Sequence, residues 1–168
     1  MSKKTRAEFT WPRRKIADML QQATAKGVDE VNFVLQANLI EKLSQPGTGG
    51  GANWRPSKGQ RYQPSAPGQP PAVQTGQLRL SWSAGKSGHY QTRIRGTEVE
   101  SRYGQVQVGS ALKYAAALEY GYPPRNLKAR PYIRPVVDDL NKSGLPTRIV
   151  QRHVDEMLPL IDKLVPTQ

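Results

Sequence analysis

The chain is 168 residues long, with 25 Lys and Arg against 13 Asp and Glu, a formal charge of +12, and no cysteine. One domain is the expectation at this length, and the missing cysteines exclude a disulfide framework, a thiolate metal site and a thiol nucleophile. No apolar run approaches the roughly 18 residues of a membrane span, and the opening "MSKKTRAEFTW" lacks the apolar core of a secretory signal, so a soluble, intracellular protein with no membrane partner is expected.

Residues 1–11 are polar and basic and read as a mobile arm. Ile16, Leu20, Ala23, Gly27, Val31, Val34, Leu35, Leu39 and Leu43 then recur at spacings of three and four, which predicts an amphipathic helix over 12–43. Gly27 leaves open two helices broken near Lys26-Gly27, and Pro46-Gly47 stops the run in either case. From 46 to 76 the chain is an extended Gly/Pro-rich basic loop with too little apolar surface to offset the ordering of its backbone. Within it, Trp54 and Tyr62 sit among Arg55, Lys58 and Arg61, a mixture suited to DNA or to an acidic partner.

After Gly76 the pattern becomes alternating: "LRLSW", "HYQTRIRG" and "TEVESRYGQVQVGS" predict an antiparallel sheet of three to four strands over 77–110, covered on one face by the 12–43 helix. A short helix over 111–121 ends at Gly121, a Pro/Arg segment occupies 122–135, and C-terminal helices fill 136–165. Thr147 is the expected cap of the last of them, and Pro159 its expected kink. The fold class expected is therefore α+β: a long N-terminal helix on a small antiparallel sheet, a long loop, and C-terminal helices.

The chemistry-bearing residues are sparse. "SAGKSG" (Ser83–Gly88) lacks the glycine that a phosphate loop needs at position 80, which is Leu80. His89 and His153 are far apart, with no carboxylate cluster to complete a metal site. Asp138-Asp139 and Asp155-Glu156 are adjacent in helical sequence, so each pair points in divergent directions. No enzyme, cofactor or metal is expected. Between Glu41 and Glu98 there is no acid but eight basic residues, a block that attracts phosphates or an acidic protein face.

Two proline-punctuated stretches stand apart: "PGQPPAVQTGQLRLSW" (67–82) and "VGSALKYAAALEYGYPPRNLKARPYIRPVVDDL" (108–140). The prolines fix φ and hold their neighbours extended, so Pro67, Pro70 and Pro71 brace a stiff limb that Thr75-Gly76 turns into the sheet. Such a limb either reaches a neighbouring subunit or lies across its own. Arg130 and Arg134 are matched by type with the carboxylate of Glu119. The first stretch resembles the "PG-x-PP…TG-x-LR-x-S" signature of tailed-bacteriophage neck or tail-completion proteins of the HK-ninety-seven gene-ten-like family. The second is similar to that family's "VG…YA…EYG…ARPF-x-RP" block, at Val108-Gly109, Tyr114-Ala115, Glu119-Tyr120-Gly121, Ala129–Tyr132 and Arg134-Pro135.

The resemblance spans about 12–142; the insert at 47–66 is longer than the family's, and a helix is added after Gly144. It implies a structural virion protein, a head–tail connector or tail-completion subunit. Its copies would form a homo-oligomeric ring between the portal-side connector and the tail, around the DNA path, assembled in the host cytoplasm with neighbouring neck and tail-tube proteins. Pro67, Pro70, Pro71, Thr75, Gly76, Leu78, Arg79, Glu119, Arg130 and Arg134 are the expected interface. Non-specific contact with duplex DNA falls to the basic loop. The alternative is a stand-alone basic nucleic-acid-binding protein.

Overall fold

The computed structural model describes residues 12–47, 65–73, 75–84, 91–94, 97–100 and 108–164, with backbone alone for 83–84, 91–94 and 97–100. Helix α1 runs from Arg13 to Lys42. Its three-four periodicity buries Ala23, Gly27, Val28, Val31, Asn32, Leu35 and Leu39, and Leu43 continues the buried stripe one residue past its end. The helix does not break at Gly27; that residue is a point of close approach to a later helix.

A single helical turn, α2 (Gln77–Leu80), follows the loop, then strands β1 (Trp82–Ala84), β2 (Gln91–Ile94), β3 (Thr97–Glu100) and β4 (Val108–Ser110). Helix α3 (Lys113–Tyr120), a 3₁₀ turn (Pro123–Arg125), α4 (Ile133–Lys142) and α5 (Leu145–Asp162) complete the order. β1 pairs antiparallel with β4, Trp82 opposite Ser110 and Ala84 opposite Val108. β2 pairs antiparallel with β3, Gln91 opposite Glu100 and Ile94 opposite Thr97.

The expected α+β class is thereby overturned. Helix dominates the described residues, and the strands among them form two separate two-stranded ladders, not one antiparallel sheet of three to four strands over 77–110. The first expected strand fails for a local reason. Gly76 adopts φ 75°, the Thr75 hydroxyl oxygen accepts the Gln77 N–H at 3.4 Å, and the Leu80 N–H donates to the Gly76 carbonyl at 3.0 Å. "QLRL" therefore closes a helical turn. Leu78 packs on the core while Leu80 faces solvent, which a half-buried strand would not do.

The core is built on α1. Val31, Leu35, Leu39 and Leu43 meet Trp82, Ala115 of α3, Tyr132, Val136 and Leu140 of α4, and Ile149 of α5. Tyr132 is fully buried, with its ring edge-to-face against Trp82 at 5.7 Å between centroids, an arrangement that favours the aromatic quadrupoles. α1 packs most extensively against α5. α4 begins three residues before the expected 136, and α5 begins at Leu145 after Gly144 at φ 63°. The hydroxyl of Ser143, not Thr147, accepts the Leu145 N–H at 3.1 Å. α5 continues through Pro159.

Candidate functional site

The proline limb is seated on its own chain. Ala66 to Gln69 form a turn, with the Gln69 N–H on the Ala66 carbonyl at 3.1 Å. Gly68, at φ 81°, donates its N–H to the Ala129 carbonyl at 3.0 Å. Ser65 and Pro71 are buried, Pro70 is half-buried and Pro67 is exposed. Of the two dispositions open to a stiff limb, the described residues take the intramolecular one. The physical reason is the pairing of Gly68 with Ala129: a left-handed glycine lets the turn present its N–H to the segment that leads into α4.

Between this limb, the end of α1, α2 and α3 lies a cavity of about 370 Å³. Leu43, Leu78, Leu118 and Tyr114 supply its apolar surface, and Arg79 and Arg130 its charge. Pro71, Thr75 and Gly76 line it from the limb side. No acidic side chain lines it among the described residues. Arg79 donates through one terminal nitrogen to the Ser44 hydroxyl at 3.3 Å. The Arg130 backbone N–H is held by the Leu118 carbonyl at 2.7 Å, but its Nε is buried and meets no acceptor. A buried donor left unmet costs about 1–3 kcal/mol, and none of the described residues supplies an acceptor to this one. Burial raises the Tyr114 phenol above its usual 10.0, which keeps it a neutral donor at ordinary pH.

Neither family models, curated proteins nor solved structures give a match to this chain.

Glu119 has a different role from the one its type suggested. It is 6% exposed, and neither Arg130 nor Arg134 is its partner through the guanidinium. Its Oε2 accepts the Tyr132 N–H at 2.8 Å and the Ile133 N–H at 3.0 Å, and its Oε1 accepts the Arg134 N–H at 3.1 Å. The carboxylate thus satisfies the orphan donors at the start of α4 and meets the positive end of its dipole. Arg134 keeps its side chain exposed.

The structure brings Pro71, Thr75, Gly76, Leu78, Arg79 and Arg130 of the expected interface set around one cavity, whereas Glu119 is a clasp on the start of α4. Pro67 and Pro70 lie further along the limb. Trp54, Arg55, Lys58, Arg61 and Tyr62 lie outside the described residues, as does the 1–11 arm. Sequence reasoning missed Leu43, Tyr114 and Leu118 as wall residues. Tyr114 and Leu118 are one helical turn apart in "KYAAALEY", which was the available signal. Among the described residues, no three or more His, Asp or Glu gather as metal ligands, and no helix is long and apolar enough to cross a membrane.

Proposed function

We propose that this chain is a structural subunit of a tailed bacteriophage, a head–tail connector or tail-completion protein that joins a ring around the DNA path. One observation supports this above the others: the two motif blocks that resemble the neck family, separated in the chain by residues 83–107, meet at one place. Pro71, Leu78 and Arg79 of the first face Tyr114, Leu118 and Arg130 of the second across the same cavity, and Gly68 is bonded to Ala129. Motifs that serve only local turns have no need to converge.

The chemistry of the cavity suits binding. Aliphatic walls with two arginines take up an anionic, partly apolar group through burial and charge-assisted hydrogen bonds. A ring is the natural setting for such a site, because a closed cyclic assembly needs two different faces on each subunit. In this reading the protein acts in the virion, after assembly in the host cytoplasm.

The test is genetic and microscopic. A phage lacking this gene is expected to accumulate DNA-filled heads and separate tails, with joining restored by the wild-type chain. Complete infectious particles without it would overturn the reading. A second reading, a stand-alone nucleic-acid-binding protein, is favoured by the acid-free run with eight basic residues between Glu41 and Glu98. It requires duplex or single-strand affinity in the isolated chain that falls steeply with salt.

A further inference from the structure

The cavity presents cations and apolar walls, and elsewhere the same chain displays the opposite arrangement. On α5, Asp155, Leu158 and Asp162 are spaced three and four residues apart, so they share one helix face. Leu158 is 45% exposed, and both aspartates are exposed. An aliphatic side chain standing in water between two carboxylates, one turn to either side, is the inverse of an aliphatic cavity edged by Arg79 and Arg130.

We infer that the cavity beneath the proline limb receives the Asp155–Leu158–Asp162 face of α5 from a second copy of this chain. Leu158 enters among Leu43, Leu78 and Leu118, and the aspartates meet Arg79 and Arg130. The two surfaces are different, so each copy offers one to each neighbour, and the contact is head-to-tail. Duplex DNA suits the cavity less well, because a phosphate ridge brings charge without an apolar group to cover the leucine walls. This inference rests on the ring reading and names the two faces that the ring would use.

The absence of native cysteine makes a covalent test clean. Val73 lines the cavity and is 36% exposed, so Val73→Cys and Leu158→Cys place one thiol on each proposed face. They are to be introduced singly and together into the full chain carried by the phage, and oxidised particles run without reductant. The double variant is expected to give a ladder of covalent multimers of this chain, and each single variant none. Adding Asp155→Lys and Asp162→Lys, both at exposed positions, is expected to reduce the ladder about tenfold, as the loss of two ion pairs would. Particles that contain the chain as a ring yet yield no ladder overturn this inference and leave the ring reading standing. So does a cross-link from the Val73→Cys thiol to a different protein. A chain found in no particle overturns both.

Discussion

Gly27 and Val150 meet backbone to backbone: a Cβ built on Gly27 would lie 2.8 Å from the Val150 Cα and 3.2 Å from its Cγ2. α1 and α5 therefore touch where one of them has no side chain. Gly27→Ala would raise helix propensity by about 1 kcal/mol, but the helices would have to separate. Overpacking of this kind costs about 1–3 kcal/mol, so the net expectation is a loss of up to about 2 kcal/mol in urea unfolding. Val150→Ala in the same chain relieves only the Cγ2 contact and is expected to restore part of the loss. A stabilised Gly27→Ala protein would show that the helices part without cost.

Glu119 joins α3 to the first turn of α4, and its removal tests whether that clasp holds the cavity wall. Glu119→Ala leaves three N–H groups without their acceptor; with bonds to a charged group at about 1.5–3 kcal/mol each, partly recovered by water, a loss of about 3 kcal/mol is expected. Glu119→Gln keeps one acceptor oxygen and should lose about half of that. Amide exchange at Tyr132, Ile133 and Arg134 is the direct readout. Unchanged protection in Glu119→Ala would mean that the first turn of α4 holds without the carboxylate.

Much of the helical architecture was legible, because long periodic runs leave little room for another solution: Ala23, Gly27, Val31, Leu35 and Leu39 mark one side of α1 at a glance. The sheet was not. "LRLSW" alternates over five residues, a length at which period two and one helical turn are both satisfied, and the deciding facts are the φ of Gly76 and the Thr75 hydroxyl. The Thr-Gly pair was visible as punctuation, yet it starts a turn of helix where a strand was expected. At the site, Arg79 and Arg130 were named from sequence. The role of Glu119 escaped because matching acids to bases by type overlooks backbone donors. Gly27, read as one position of the apolar face and as a weak point of the helix, is a contact whose partner lies more than a hundred residues away.

The surface between α1 and α5 carries an ionic cluster with an acid dependence of definite sign. A hydrogen bond from His153, at 2.9 Å, and one from Arg152 hold the Glu30 carboxyl below its usual 4.5. A carboxyl lowered in the folded state contributes stability that is complete above its unfolded value and lost as pH falls through the folded one. The group is largely solvated, so the contribution is small and screened by salt. Glu30→Gln is expected to lower the thermal midpoint slightly at neutral pH and to flatten its fall below about pH 4.5. Parallel acid limbs for the two proteins would remove Glu30 from the interhelical contact.

The alkaline limb belongs to Tyr132. Burial, with the Glu119 carboxylate second, pushes its phenol well above the usual 10.0, and its hydroxyl donates to the Ala115 carbonyl at 3.1 Å. The sign is opposite to that of Glu30. An acid whose folded value is raised contributes fully below its unfolded value, about 10, and loses that contribution as pH rises beyond it, by about 1.4 kcal/mol per pH unit. Near neutral pH, Tyr132→Phe should lose only the hydrogen bond, about 1 kcal/mol. By about pH 11 the unfolded wild-type chain ionises this phenol and the folded one does not, so the advantage of the wild type should vanish or reverse. Urea midpoints of the two proteins across that interval measure the crossing. A constant difference between them would mean that the Tyr132 phenol reaches water in the folded protein, and that the core joining Trp82 to α4 is looser than its edge-to-face packing implies.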